Sequence, residues 1–415
     1  MSTSFSTALS GLNAYSTAIS VVGNNLANLD TTGFKTVNVE FQDLVTQSIG
    51  ADLGATQVGF GVGTPITLTN YGQGALESTG GALDAAIQGD GFFIVSAKGT
   101  GNTEYTRGGS FSVNTQGFLT TASGDLVQGW SMNNGVVDTN RAPGNISVPV
   151  GQLAPPVATT SMSASLNLNS AAAAGTSFST SIQVYDSLGT AHTVTITFTQ
   201  SGTPNQWNYS VSVPNSDLAN PPYTPVTGTL TFDSNGNLTS PAATDAPIQV
   251  PITGLADGAS DMNITWSLYN GTTPDITQYA QSSAASAQSQ NGQAAANLVS
   301  IGLANGGQVL AQYSDGQQVV VGQMAMAQIE NPDSLVAAGN SNYQASALTA
   351  LPAIGLPGTG GRGTVVGGSV EASNVNIATE FTDLIVYQQG YEANAHVVTT
   401  ENQLSQTTIN LTQGA

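Results

Sequence analysis

The two histidines are the side chains of this sequence best suited to bind a metal ion or to carry a proton. His192 and His396 lie in different predicted domains, and the chain has no cysteine that could complete a zinc site. No nearby cluster of acidic residues supports either histidine. His192 follows a Leu-Gly turn at the start of a predicted strand, and we expect it at the surface. The sequence therefore predicts no metal site.

One segment has part of the spacing of a calcium loop. Asp233, Asn235 and Asn237 match the first ligand positions of an EF-hand loop. Leu238 occupies the position of the required glycine, and Thr244 that of the bidentate glutamate. The Asn-Gly pair at residues 235–236 lies between two β-type runs, so we predict a hairpin turn there instead.

The glycine-rich segment GFGVG at residues 59–63 is a weak match to a nucleotide-binding loop. It lacks the third-glycine spacing, and Pro65 with a β-type run follows it instead of a helix. The chain has 25 acidic residues, but no sequence feature singles out a pair for acid–base hydrolysis. We therefore expect no catalytic residue, no cofactor and no enzymatic activity.

The charge composition limits the possible partners. Charged residues make up 7% of the chain, against about 25% in typical proteins, and the formal net charge is −20. Nucleic-acid binding needs clustered basic residues to neutralise phosphates, and an anionic membrane surface needs them too. Neither partner is expected here, because the sequence has only five basic residues: Lys35, Lys98, Arg107, Arg141 and Arg362.

Targeting signals are also missing from the sequence pattern. The first twenty residues have no basic region followed by a continuous apolar stretch, so we do not expect a cleavable signal peptide. No window approaches the ~18 consecutive apolar residues that a transmembrane helix requires. These features suit a protein that is cytoplasmic or exported by a route without a cleavable signal.

At the level of secondary-structure elements, both ends of the chain have helical periodicity. Near the N-terminus, apolar side chains recur every three or four residues, which predicts an amphipathic helix over 5–29 with a near-heptad stripe. A second such stripe predicts a helix from about 373 to 411. The first stripe consists of Phe5, Leu9, Leu12, Tyr15, Ile19, Val22, Leu26 and Leu29. The second consists of Ile377, Phe381, Leu384, Tyr391, Ala395 and Val398, with Gln388 filling its gap.

Neither helix is expected to be stable alone. The first is rich in Ser, Thr and Asn, which lower helix propensity, and isolated helices of this length are marginal in water. We predict that the two helices pack on each other and on neighbouring copies as a coiled-coil inner domain. The predicted subunit-packing residues are Leu9, Leu12, Ile19, Val22, Leu26, Leu29, Ile377, Phe381, Leu384, Tyr391 and Val398.

The interior of the chain reads as β structure. Short extended pieces fill a connector at 30–70, and β-type runs separated by glycine turns fill the segments 71–146 and 281–370, which we predict to form a first β domain. Alternating, β-branched runs at 147–280 predict an inserted outer β domain. Residues 281–300 are expected to be a low-complexity polar joint. The predicted fold class is therefore mixed, with terminal α-helices forming the inner domain of 1–29 and 371–415 and two nested, discontinuous all-β outer domains.

Three separated segments carry a family resemblance. VVGNNLANLDTTGFK at 21–35 and VEASNVNIATEFTDLIVYQQGYEANAHVV at 370–398 resemble the terminal signatures of flagellar rod and hook proteins. ALDAAIQGDGFFIV at 82–95 and YTRGGSFSVNTQGFL at 105–119 resemble their middle motif, and the insert resembles the outer domain of the hook protein. Gln389 stands where the family usually has Arg, and His396 where Lys or Gln is common. The N-terminal signature residues are Asn24, Asn25, Asn28, Thr32, Gly33 and Phe34.

The resemblance implies a structural subunit that polymerises into the flagellar hook, a curved tube that couples the rod to the filament. It implies export through the flagellar type III apparatus to the extracellular part of the flagellum. The implied partners are other copies of the chain, the distal rod, the hook cap, the hook–filament junction proteins and the export apparatus.

Two other functions remain compatible with parts of the sequence. A distal-rod or other axial protein would share the terminal signatures, although the β insert argues against a straight rod. An acidic, β-rich enzyme or surface adhesin would share the composition of the middle, but it would not explain helical stripes at both ends.

Overall fold

The protein is mostly β-sheet with an α-helix at each end, as seen in a computed structural model that describes residues 3–44, 47–49, 56–132 and 136–413. The chain divides into two compact units. Unit 1 comprises the described residues of 1–150, 300–312 and 318–415, and unit 2 comprises 151–299 and 313–317. The predicted terminal helices and β-rich interior are confirmed, while the finer division into an inner helical domain and two nested outer domains stays a prediction.

The strands are short and follow one another closely along the chain. Up to residue 150 they are β1 (Val37–Glu40), β2 (Gln47–Ile49), β3 (Thr56–Val58), β4 (Ile66–Thr69), β5 (Leu76–Ser78), β6 (Ala85–Gln88), β7 (Phe92–Ser96), β8 (Thr103–Thr106), β9 (Phe111–Val113), β10 (Leu119–Thr121), β11 (Leu126–Ser131) and β12 (Gly144–Asn145). From 151 to 295 they are β13 (Leu153–Ala154), β14 (Ser161–Asn167), β15 (Ser177–Tyr185), β16 (Ala191–Gln200), β17 (Gln206–Ser212), β18 (Val226–Phe232), β19 (Leu238–Ser240), β20 (Ile248–Ile252), β21 (Met262–Ser267), β22 (Tyr269–Asn270), β23 (Thr273–Pro274), β24 (Ile276–Thr277) and β25 (Ala284–Gln290). The last are β26 (Ala296–Leu303), β27 (Gln308–Tyr313), β28 (Gln318–Met324), β29 (Met326–Gln328), β30 (Val336–Gly339), β31 (Asn342–Gln344), β32 (Ala353–Gly355), β33 (Thr364–Gly367) and β34 (Ser369–Glu371).

Both predicted helices are present. Helix α1 spans Thr3–Ala27, and helix α2 spans Ile377–Gln413. Helix α2 begins later than the predicted start near 373 because Asn376 caps it. The side-chain oxygen of Asn376 accepts hydrogen bonds from the backbone N–H groups of Ala378 and Thr379 at 3.0 and 3.3 Å.

The predicted connector forms two strand pairs. Strand β1 pairs antiparallel with β4, and β2 pairs antiparallel with β3. Elsewhere, in the sheet that dominates unit 1, strands β27, β28, β11, β7, β8, β31 and β30 lie side by side in that order. A buried aromatic cluster lies beside these strands: the Tyr71 ring lies edge-on to those of Phe92 and Tyr343, with centroids 5.8 and 5.3 Å apart.

Unit 2 contains two sheets that share one core. The first is an antiparallel run of β15 to β19, and the second has the order β20, β21, β14 and β24. Strand β16 alternates between core-facing apolar and outward-facing Thr side chains, as expected for a sheet with one buried face. The largest wholly buried side chains of the shared core are Trp207 and Trp266. The predicted Asn-Gly hairpin turn is also present, with Gly236 at φ +80° between β18 and β19.

Two expectations for unit 2 were wrong. Residues 284–290 form strand β25, which pairs antiparallel with β14, so the segment 281–300 is not a simple polar joint. Its Ala, Ser and Gln side chains are nearly all exposed, so the strand depends on backbone hydrogen bonds and has no apolar alternation to reveal it. His192 is buried rather than exposed, because its side chain points into the end of the two-sheet core and is held there by carboxylates.

Candidate functional site

The helix pair of unit 1 is held together by small side chains. On α1 the buried positions recur every three or four residues and are Ala8, Gly11, Ala14, Ala18, Val22 and Asn25. Small residues at this spacing let two helix backbones approach closely. The buried positions of α1 therefore differ from its predicted stripe of large apolar side chains, and only Val22 belongs to both.

Three contacts fix the relative direction of the two helices. Gly11 lies against the Asn394 side chain, since an added Cβ there would be 2.7 Å from the Asn394 oxygen. Gly390 lies against the ring of Tyr15, which a Cβ would approach to 2.5 Å. Further along, Asn25 bonds to Glu380. As the contact moves forward along α1 it moves backward along α2, so the helices are antiparallel.

The predicted packing residues are distributed unevenly around this contact. On α1, Leu9 is 45% exposed and Val22 is buried. The remaining α1 residues are half-buried: Leu12, Ile19, Leu26 and Leu29. On α2, Leu384 and Val398 are half-buried. The exposed residues of the α2 prediction are Ile377, Phe381 and Tyr391.

Further apolar side chains of α2 are also exposed. We use the name exposed apolar set for Leu9 of α1 together with Ile377, Phe381, Ile385, Val386, Tyr391, Val397, Leu404 and Leu411 of α2. Exposed apolar residues that are scattered singly are normal on protein surfaces, whereas contiguous exposed apolar patches mark interaction sites. Within the described residues, the structure thus brings the helices together through one face and leaves these other apolar side chains largely exposed.

Asn25 of the N-terminal signature ties three elements together. Its side chain is 1% exposed, and its amide N–H groups donate to the Val37 carbonyl at 2.9 Å and to both Glu380 oxygens at 3.1 Å. Its side-chain oxygen accepts from the Val37 N–H at 3.1 Å. Burial raises the pKa of Glu380, and the nearby Asp383 carboxylate adds to that rise. Asn25 therefore joins α1 to β1 and α2, a role that the sequence alone did not separate from a helix stop.

The other signature residues form the turn after α1. Asn28 donates to the Asn24 carbonyl at 2.9 Å and accepts from the Thr31 hydroxyl at 3.1 Å. Thr32 and Phe34 are half-buried.

Gly33 occupies a left-handed conformation with φ +71°, and an added Cβ would lie 2.5 Å from the Gly108 backbone nitrogen. A side chain there would be both strained and obstructed, which explains the glycine.

A buried ion triad joins the signature turn to the start of the C-terminal segment. Lys35 Nζ lies 2.6 Å from Glu371 Oε1, and Arg107 Nη1 lies 3.1 Å from Glu371 Oε2. Lys35 also donates to the Gly72 carbonyl at 2.7 Å, and Arg107 donates to the Gly89 carbonyl at 2.9 Å. Burial lowers the pKa of Lys35, while the Glu371 carboxylate opposes that effect. No sequence signal predicted this triad, because its members are far apart along the chain.

These groups hold neighbouring elements in place. In the described parts of the two helices and the signature turn, the converging side chains are amides, carboxylates paired with donors, the buried ammonium group of Lys35, and small or apolar groups. Among the described residues, no helix is long and apolar enough to cross a membrane.

Four family descriptions match successive parts of the sequence. Residues 5–35 match "Flagella basal body rod protein", and residues 86–170 match "Flagellar hook protein FlgE/F/G D1 domain". Residues 152–293 match "Flagellar basal body protein FlaE D2 domain", and residues 366–411 match "Flagellar basal body rod FlgEFG protein C-terminal". Together these matches include the signature turn, parts of both units and most of α2.

Whole-chain relatives are similar over nearly their full length. The flagellar hook protein FlgE of Borreliella burgdorferi is 31% identical, over 97% of this chain and 98% of the relative. The FlgE of Escherichia coli K12 is also 31% identical, over 98% of this chain and 99% of the relative. A crystal structure of Helicobacter pylori flagellar hook protein FlgE2 covers 70% of this chain and 98% of its own, with 14% identity and a TM-score of 0.49.

Proposed function

Because this chain belongs to the flagellar hook protein FlgE family and is a structural subunit of the bacterial flagellar hook, we propose that it polymerises through its exposed apolar set. The near-complete match to relatives that carry the hook name does not favour the distal-rod alternative. The observation that carries the proposal is the exposure of large apolar side chains on a helix whose contact face is already filled. Phe381 is 52% exposed although α2 packs on α1 along much of its length.

The mechanism we propose is burial between copies. A contact between different faces of successive copies that does not close into a ring generates a helical polymer. Each large apolar side chain that leaves water on assembly contributes roughly 1.5–3 kcal/mol when fully buried. The antiparallel helix pair would then be the repeating element of a coiled-coil wall, and its small-residue face would set the spacing of the two helices within each copy.

Unit 2 supports a second part of the mechanism, in which contacts exchange as the hook bends. The outward face of its β15–β18 sheet consists of uncharged hydroxyl and amide side chains that pair with each other, as Ser179 does with Thr197 at 3.0 Å. No Lys or Arg lies between Arg141 and Arg362, so no lysine or arginine ion pair can fix one register between two copies of this unit. We propose that this uncharged face allows neighbouring copies to slide without a large cost.

The remaining implied properties are also proposals. The chain would pass unfolded through the flagellar type III export apparatus to an extracellular position. It would meet the distal rod at one end of the polymer, the hook cap during assembly and the junction proteins at the other end. We propose no catalytic activity.

The test is a paired substitution on the exposed face of α2. Phe381→Ser with Ile385→Ser removes two side chains that are both more than half exposed, so the fold of the single chain should be unchanged. Salt-induced assembly, observed by electron microscopy, should be lost or need at least tenfold more protein. The control is Thr382→Ser with Gln388→Ser, which changes exposed polar residues of the same turns and should assemble normally. Normal tubes from the Phe381/Ile385 variant would refute the proposal.

A further inference from the structure

One end of unit 2 gathers three carboxylates around its single histidine. His192 is the second residue of strand β16, and Asp186 lies in the turn that precedes the strand. Asp217 closes a short 3-10 helix at Asn215–Asp217, and Asp257 lies in the loop between β20 and β21. His192 and Asp186 are buried, while Asp257 is exposed. Three loops that are separate in the sequence therefore converge on one imidazole.

His192 has two kinds of partner: Asp186 and Asp257 lie close together with it, and Asp217 bonds to its other ring nitrogen. His192 Nε2 lies 2.9 Å from Asp186 Oδ2, and the ligand atoms of His192, Asp186 and Asp257 all lie within 4.8 Å of one another. The other ring nitrogen, Nδ1, lies 3.0 Å from Asp217 Oδ2. The remaining Asp186 oxygen accepts the backbone N–H groups of Leu188 and Thr190 at 2.7 and 2.9 Å. These two bonds hold Asp186 Oδ2 toward Nε2.

The side chains of unit 2 do not supply enough positive charge to balance the three carboxylates of this cluster. Unit 2 contains no lysine or arginine, so the nearest positive charge available to the three carboxylates is a proton on His192. Asp186 has no exposed surface, and burying a carboxylate is costly unless a positive group or a metal ion compensates it. One proton offsets one of three negative charges, whereas a divalent cation offsets two.

We propose that His192 Nε2, Asp186 and Asp257 bind a divalent transition-metal ion of the Zn²⁺ class. Imidazole nitrogen and carboxylate oxygen are zinc ligands at about 2.0–2.2 Å, which in tetrahedral geometry places neighbouring ligand atoms roughly 3.3–3.6 Å apart. A metal-binding histidine usually donates its second N–H to a carboxylate, and Asp217 is in that position. The mixed nitrogen and oxygen ligands favour Zn²⁺ over Ca²⁺ or Mg²⁺, which prefer oxygen alone.

The site would fasten the three loops together at one end of unit 2. The sequence concealed it because Asp257 is distant from His192 along the chain and because the predicted surface position of His192 was wrong. The inference does not depend on the proposed assembly surface, since all four side chains belong to unit 2 and the exposed apolar set belongs to unit 1.

The test uses untagged, full-length monomer treated with a chelator and then titrated with ZnCl₂ by calorimetry. We expect one Zn²⁺ per chain and a higher melting temperature of unit 2, read from the fluorescence of its buried tryptophans. Asp257→Asn changes an exposed ligand, so the protein should stay folded while the affinity for Zn²⁺ falls 10- to 100-fold. His396→Gln removes the exposed histidine of α2 and is the matched control that should leave binding unchanged.

Three results would overturn the proposal. The first is no binding of Zn²⁺ at stoichiometric concentration. The second is binding that Asp257→Asn does not weaken. The third is a melting temperature that rises on acidification through the histidine range with no response to Zn²⁺, which would assign the cluster to a protonated imidazole alone.

Discussion

Glu371 accepts bonds from two basic side chains at a position that solvent does not reach. Its side chain is 0% exposed, and Lys35 and Arg107 contribute two of the five basic residues in the sequence to this one carboxylate. The backbone N–H of Gly74 donates to the same Glu371 oxygen as Lys35, at 2.8 Å. The triad joins the turn after α1, the end of β8 and the strand that precedes α2. It therefore positions both ends of the chain on the β structure of unit 1.

Removing one member of the triad should be far more costly than removing an exposed charge. Lys35→Met leaves a buried carboxylate with one cation in place of two, and breaking such a pair typically costs 3–5 kcal/mol. We expect the free energy of unfolding of unit 1 to fall by about that amount, measured by hydrogen exchange of its strand amides. Lys98→Met changes an exposed lysine and should cost less than about 0.5 kcal/mol. Equal losses of unfolding free energy from the two substitutions would show that the buried triad stabilises unit 1 no more than an exposed lysine does.

At the scale of elements, the helix pair illustrates what periodicity can and cannot predict. The three- and four-residue spacing of large apolar residues predicted both helices correctly. It did not predict the face that joins them, because Ala8, Gly11, Ala14 and Ala18 carry little hydrophobicity and contribute by allowing close approach. The strands of unit 2 were predictable from their alternation, whereas β25 was not, since its side chains are exposed on both faces.

The contacts between residues that are distant along the chain could not be predicted from the sequence, for a different reason. Neither the Lys35–Glu371–Arg107 triad nor the cluster around His192 has a local signal, because each brings together residues from separate strands and loops. Pairing of strands decides which side chains meet, and a single sequence does not specify that pairing. The signature residue Asn25 was identified by resemblance, but its bonds to β1 and α2 required the folded arrangement.

The helical glycines Gly390 and Gly23 provide a matched test of the close helix contact. A Cβ on Gly390 would lie 2.5 Å from the Tyr15 ring, whereas a Cβ on Gly23 would meet nothing within 4 Å. Gly390→Ala should therefore lower the stability of the helix pair by about 1–3 kcal/mol through overpacking, despite a better helix propensity. Gly23→Ala should raise it by up to about 1 kcal/mol from propensity alone. Circular dichroism at 222 nm during urea unfolding measures both, and shifts of the same sign would contradict the close contact.

On the scale of the whole molecule, positive charge is confined to one of the two units. All five basic residues lie in unit 1, together with the exposed apolar set, while unit 2 has acids and no lysine or arginine. Copies of unit 2 must therefore repel one another at low ionic strength, and salt would screen that repulsion. We therefore expect attraction between copies to come mainly from unit 1, through the exposed apolar set of the terminal helices.

Removing residues 1–30 tests this division directly. The deletion takes away α1 and the Asn25 bonds to α2, but it leaves the Lys35–Glu371–Arg107 triad and every residue of unit 2 in the chain. Unit 2 keeps its own core around Trp207 and Trp266, so its unfolding transition, followed by tryptophan fluorescence, should shift by no more than a few degrees. Polymerisation should be abolished at any salt concentration, because α2 then lacks the small-residue face that fixes its position beside a partner helix. Tubes of normal diameter from the shortened chain would mean that copies associate through some other surface, and the assignment of assembly to the helix pair would have to be abandoned.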